Sequence, residues 1–215
     1  MTSVRMLAVV ATLAAVLTSG VTAWAGPPTE QLRERVDRVL RVLEDPDLRQ
    51  AARTAERRQA IRTIAYEIFD FRELSQRSLA RHWPARTPAE REEFIRLFAD
   101  LLERSYVGKI ETYSGGERIQ FTGESANGEQ ATVRTRIVVK GGTEIPVDYR
   151  MHRVGERWMV YDVALEGVSL VANYRAQFNK IIQTSSFKDL VDKLRAKEAE
   201  GLEADALQVK RASQK

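Results

Sequence analysis

The stretch from Trp158 to Ile182, WMVYDVALEGVSLVANYRAQFNKII, changes its period partway along. Met159, Tyr161, Val163 and Leu165 alternate with Trp158, Val160 and Asp162, the pattern of a strand that is apolar on much of both faces. Glu166-Gly167 breaks the alternation, and from Val168 the spacing becomes helical, with Val171, Tyr174, Phe178, Ile181 and Ile182 on one stripe. A strand therefore feeds an amphipathic helix across a single glycine. Two apolar faces need cover on both sides. One cover is ordinary core; the other is either more core or a cavity for something greasy, and that choice decides the function.

The chain before this stretch divides in two. Leu32, Val36, Val39, Leu40 and Leu43 form a helical stripe ended by Asp45-Pro46, and Ile61, Ile64, Ala65, Ile68 and Phe69 form a second. A short helix with a bend near Asp70 follows and stops before Pro84. Thr87-Pro88-Ala89-Glu90 opens a long helix, with Thr as N-cap, Pro at the first helical position and Glu three residues after the cap. That helix turns Phe94, Leu97, Phe98, Leu101, Leu102 and Tyr106 inward, fades near Ile110, and gives way to a turn at Ser114-Gly115-Gly116. The pattern then becomes β. Ile119 and Phe121, then Val133, Thr135, Ile137 and Val139, then Ile145, Val147, Tyr149 and Met151 alternate with polar residues, and Asn127-Gly128 and Gly141-Gly142 supply turns. Short links between consecutive strands predict an antiparallel meander. After the helix from Val168, Ser186 caps a last helix carrying Phe187, Leu190, Val191 and Leu194. The predicted fold class is α+β: a twisted antiparallel sheet of four or more strands, wrapped by several helices, with an apolar cavity between sheet and helices.

Composition narrows the chemistry. In 215 residues there are no cysteines, which excludes disulfides and thiolate catalysis. Arg5, the apolar run Met6 to Leu17 and Ala23-Trp24-Ala25 read as a secretory signal peptide over residues 1–25, cleaved near Ala25. The run is shorter than the roughly 20 residues a membrane span needs. Residues 26–196 read as one domain, and residues 197–215, charged and small, as a disordered tail. The periplasm is the expected compartment. The formal charge of +4 comes from arginines spread over every element, with no basic run and no reader motif, so no nucleic-acid role is expected.

Catalysis finds little footing. The chain has two histidines, His82 and His152, set apart from each other. Gly167-Val168-Ser169 begins like a hydrolase elbow, but the closing glycine is missing, and Ser169 reads as a helix cap. There is no phosphate-binding glycine loop and no metal-ligand spacing, so no metal and no cofactor are expected.

Several motifs occur in order: Phe69-Asp70-Phe71, Leu79-Ala80-Arg81-His82-Trp83, Thr87 to Phe94 (TPAEREEF), Ile145-Pro146-Val147-Asp148-Tyr149-Arg150, and Tyr161-Asp162-Val163 running on to Asn173-Tyr174-Arg175. Together they resemble the MlaC family of periplasmic phospholipid-binding proteins, also called the toluene-tolerance family, over Leu32 to Leu194. The resemblance implies a carrier with a bound phospholipid as cargo. It would shuttle lipid between an outer-membrane lipoprotein–porin complex and an inner-membrane MCE-domain ABC transporter, and so serve outer-membrane lipid asymmetry. Relatives in hopanoid gene clusters look similar, which makes a hopanoid the alternative cargo. The helical residues expected to line the cavity are Phe71, Leu74, Trp83, Phe98, Leu102 and Tyr106. The sheet would add Val147, Tyr149, Val163 and Leu165, and the strand-to-helix switch Val168, Val171 and Tyr174. Arg150 and Arg175 read as solvated charge or as rim groups. A monomer is expected. A ligand-free periplasmic adaptor and a weak esterase using Ser169 are the competing readings.

Overall fold

Hairpin turns lay down the sheet. The computed structural model describes residues 26–111 and 117–212, so the expected leader and the turn at Ser114-Gly115-Gly116 lie outside the described residues. β1 (Arg118–Asn127) and β2 (Gln130–Val138) close at Asn127 and Gln130. Gly128 between them has φ 58°, a left-handed conformation that glycine adopts without strain. β3 (Glu144–Val154) and β4 (Arg157–Leu165) continue the meander, and β5 (Val168–Ser169) pairs with the end of β4, giving the antiparallel order β1-β2-β3-β4-β5.

Two helical layers use this sheet differently. α1 (Pro27–Glu44) and α2 (Thr54–Ile68) lie on one face, where Leu32, Val36, Ile64 and Ile68 pack against Ala131, Val133, Met151, Trp158 and Val160. α3 (Phe71–Leu79), α4 (Pro88–Glu111), α5 (Leu170–Thr184) and α6 (Phe187–Ala212) build a second core around Phe94, Phe98, Phe178 and Phe187. Local caps fix their starts. The Thr87 backbone N–H donates to Glu90 Oε2 at 2.7 Å and the Glu90 N–H to Thr87 Oγ1 at 3.2 Å, the reciprocal box expected at that helix. Ser169 and Ser186 accept from the N–H groups of Ala172 and Asp189, each at 3.0 Å.

The chain passes from the first layer to the second at one place. Phe69 bridges to Val160 along the outer edge of β4, and the Asp70 N–H donates to the Val160 carbonyl at 2.9 Å. Asp70 then caps α3 by accepting from the Glu73 N–H at 2.9 Å, which explains the bend there. Phe69 packs against both cores.

The alternation along β4 needs a correction. Met151 pairs with Val160 and Arg150 with Asp162, so Tyr161 is an extra residue in a β-bulge. The bulge moves the side-chain alternation by one. Met159 and Tyr161 face α3 and α5, whereas Val163 and Leu165 face the side of α1 and α2. The four residues that read as one face are therefore divided between two. The helix expected from Val168 begins at Leu170, because Val168 and Ser169 first extend the sheet. At the other end α6 runs on past Lys197 to Ala212. Gly201 leaves room there for the Arg104 side chain of α4, and Glu198 pairs with Arg96.

Candidate functional site

The thirteen residues singled out from the sequence fall into two groups. Leu74, Trp83, Phe98, Leu102 and Val171 are buried in the helical core, with Phe71, Tyr106 and Tyr174 packed against it. The Phe98 ring stands edge-on to Tyr174 and Phe178, with centroids at 4.9 and 5.0 Å, an arrangement that aromatic quadrupoles favour. Val147, Tyr149, Val163, Leu165 and Val168 lie elsewhere, on the sheet face shared with α1 and α2. The register aligns them. Thr135 opposes Val147, Val147 opposes Leu165, and Leu165 opposes Val168, while Val133, Tyr149 and Val163 form the next row.

That face is covered unevenly. Near the β3–β4 hairpin it carries α1 and α2. Toward the other end the row runs from Val147, 4% exposed, to Leu165 and Val168, which are 46% and 65% exposed. Isolated exposed apolar residues are ordinary, but these two are directly paired and continue a buried apolar row. The polar groups within the row are satisfied: Thr135 Oγ1 donates to the Val147 carbonyl at 3.1 Å, and the Tyr149 hydroxyl bonds to Thr135. Burial raises the Tyr149 phenol above its ordinary value, with the bond to Thr135 opposing. Tyr174 is raised in the same way against a bond to Ser105, and Tyr106 is raised by burial and by the neighbouring Tyr174. All three stay neutral at ordinary pH, so these walls carry no phenolate charge.

A buried carboxylate that the sequence reading passed over joins the sheet to α5. Asp162, 2% exposed, accepts from the Val171 N–H at 3.0 Å, from Ser169 Oγ at 2.6 Å and from Arg150 Nη1 at 2.9 Å. The bulge makes this possible by turning Asp162 toward the N-terminus of α5, where a negative charge is favoured. The same contacts bear on chemistry. Ser169 Oγ is held by Asp162 and the helix cap, while His82 is bonded to Asn179 and His152 to Asp70. Neither histidine is the base that Ser169 would need. Arg150 is taken up by Asp162, and Arg175 donates to the Arg77 carbonyl at 2.9 Å. Among the described residues no group of acidic, histidine or cysteine side chains is arranged to hold a metal, and no helix is long and apolar enough to cross a membrane.

A hollow of about 260 Å³ opens where the layers join, lined by Tyr66, Phe69, Phe71, Val154 and Met159 with Asp70 and Arg157 at its polar side. Of the thirteen residues, Phe71 alone lines it. The hollow is smaller than the roughly 300–1,000 Å³ of ordinary small-molecule sites. Spacing alone does not mark this junction, but the Phe69-Asp70-Phe71 motif does.

Comparison with known proteins agrees with this architecture. The family model described as MlaC protein matches residues 33–196. The intermembrane phospholipid transport system binding protein MlaC of Haemophilus influenzae is 25% identical over 121 residues, which cover 54% of this chain and 56% of that protein. The chain thus matches about half the length of that relative. A phospholipid-binding protein from Ralstonia solanacearum, solved in complex with a phospholipid, is similar with a TM-score of 0.70 and 25% identity, over 80% of this chain and 96% of that one. With most of its domain matched by the family model and its fold shared with that phospholipid complex, the chain belongs to the MlaC family.

Proposed function

We propose that the protein is a periplasmic carrier that holds phospholipid acyl chains against its apolar sheet face. It would pass the lipid between an outer-membrane lipoprotein–porin complex and an inner-membrane MCE-domain ABC transporter. Residues 1–25 would be its leader, removed near Ala25, and residues 26–196 its lipid-binding domain. A hopanoid is the alternative cargo. The observation that carries this reading is the row ending at Leu165 and Val168, an apolar surface without a described cover in a chain whose structural relative is a phospholipid complex.

The energetics favour a carrier. Each buried methylene contributes about 0.8 kcal/mol, so a chain of about sixteen carbons costs on the order of 12 kcal/mol to expose to water. A carrier offsets that cost with an apolar slot and needs no bond-making residue. Val147, Tyr149, Val163, Leu165 and Val168 form one wall of the slot. Phe71, Tyr106 and Tyr174 edge the helical core, and become available to the cargo when the helical layer and the sheet part. Leu74, Trp83, Phe98, Leu102 and Val171 hold the helical layer together from within its core. Parting is needed because Phe71, Tyr106 and Tyr174 are packed against the helical core in the closed fold.

Native mass spectrometry of the mature protein, followed by organic extraction, tests the reading. One lipid per chain, identified as phospholipid or hopanoid, is the expected result. A clean apo mass with no lipid taken up from phospholipid vesicles would overturn it in favour of a ligand-free adaptor, a reading that the closed helical core favours.

A further inference from the structure

α3 carries costs in the closed fold that its neighbours do not. It ends at Ala80, whose φ of 46° and ψ of −117° suit glycine and crowd a residue with a Cβ. Glu166, the other non-glycine residue with positive φ among the described residues, lies in an exposed turn. Ala80 is instead fixed from both sides. Leu79 before it and Trp83 after it are buried in the helical core, and Arg81 and His82 between them are bonded to Asn179 of α5. Strain of this kind persists only where the surroundings impose it, and it gathers at switch regions. α3 also carries Ser75 and Ser78, each 1% exposed, whose hydroxyls have no hydrogen-bond partner. Such a hydroxyl raises the free energy of the closed form and regains its bonds once water reaches it.

α5, packed beside α3, is held in the opposite way. Asp162 takes the Val171 N–H and the Ser169 hydroxyl, so the start of α5 is anchored to the sheet with its polar groups satisfied. At nine residues α3 is the shortest α-helix described. Its start is tied to the sheet edge through the Asp70 N–H. Its middle is tied by polar contacts that water can replace: the Arg77 guanidinium lies 4.0 Å from the centre of the Tyr161 ring, and the Arg77 carbonyl accepts from Arg175. We propose that α3 is the gate of the helical layer, hinged at Asp70 and Ala80, and that it swings outward to open the hollow beside Phe71 to an acyl chain.

The swing lets Ala80 relax and brings Ser75 and Ser78 to water. Against this stands the exposure of Leu74 and Leu79, both buried in the closed core. An acyl chain in the space they leave covers that apolar surface. The empty protein therefore favours the closed gate and the loaded protein the open one. The purpose of the motion rests on the carrier reading; the motion itself does not.

Hydrogen exchange of the mature protein, followed by NMR, tests the motion. The amides of Ser75 to Leu79 should exchange about tenfold or more faster than those of Tyr174 to Phe178, once intrinsic rates are removed. Equal protection of the two helices would overturn the proposal. Ala80→Gly relieves the strain of the closed form and should slow exchange in α3 about threefold or more. Ser75→Ala/Ser78→Ala removes the unpaired hydroxyls and should slow it too, which keeps the test open if glycine at position 80 prevents folding. Exchange unchanged or faster in either folded variant would overturn the proposal. Uptake of labelled phosphatidylglycerol from vesicles should slow in Ala80→Gly along with the exchange. Uptake at the parental rate despite slowed exchange would overturn the role of α3 as a gate and leave the carrier reading intact. No uptake by the parent protein would overturn the carrier reading and the gate with it, while the exchange rates would still decide whether α3 moves.

Discussion

Phe98 and Leu165 are both large apolar residues on amphipathic elements, yet Phe98 is fully buried and Leu165 is 46% exposed. The difference lies in cover. Phe98 sits among rings supplied by α4 and α5, at centroid distances of 4.9 to 5.6 Å. Leu165 continues a row whose inner members are buried, then reaches the edge of that cover at β5. Close packing of this kind contributes stability in proportion to the area removed from water. The outer end of the row contributes little and keeps its apolar area available to another molecule.

The sharpest way to break this contrast is a charge in each region. Val171→Glu places an unpaired carboxylate at a site 3% exposed in the helical core, and should destabilise by more than about 4 kcal/mol. Chemical denaturation will show it. If the variant instead folds normally and loses its lipid, Val171 lines the cavity and the division between core and wall is wrong. Asp162→Asn should cost about 2 kcal/mol, because three donors lose a charged acceptor while the half-exposed Arg150 returns to water; a stability unchanged within error would show that the carboxylate does not hold α5 to the sheet.

A smaller effect comes from the tyrosines. Their phenols are raised by burial in the fold, so above about pH 10 the unfolded chain ionises first and stability falls. Alkaline denaturation of Tyr149→Phe should show a shallower decline than the parent. Least disruptive to the fold is Val168→Asp, expected within about 0.5 kcal/mol of the parent because the side chain is already in water. Its co-purifying lipid should drop in the same preparation, measured by extraction. Unchanged lipid content would move the wall elsewhere.

Local signals in the sequence were strong, and pairing signals were weak. The Thr87 box, the Ser169 and Ser186 caps and the Asn127-Gly128 hairpin depend on neighbours within a few residues, and each appears where the sequence places it, while the switch from strand to helix after Gly167 comes two residues later than the spacing suggests. The division of the apolar residues did not follow from spacing. Alternation counts residues, and the bulge at Tyr161 adds one, so Val163 and Leu165 exchange faces without any change in composition. The role of Asp162 was not legible because its partners, Arg150, Ser169 and the Val171 N–H, come from three other segments. Likewise, a helical stripe such as Phe98 and Leu102 says that a face is buried, not whether protein or cargo covers it. The family resemblance supplied the function that spacing could not.

Phe69 has a consequence for how the molecule comes apart. It packs on both cores, and the backbone beside it bridges α2 to α3 along the edge of β4. Two cores that share this ring, this bridge and the Asp162 contacts, yet pack separately, need not melt as a single cooperative unit. The amide of Asp70, bonded to Val160 at that seam, then exchanges its hydrogen through a local opening far below the global unfolding free energy. The deep amides of α4 and β2 wait for the whole protein to unfold.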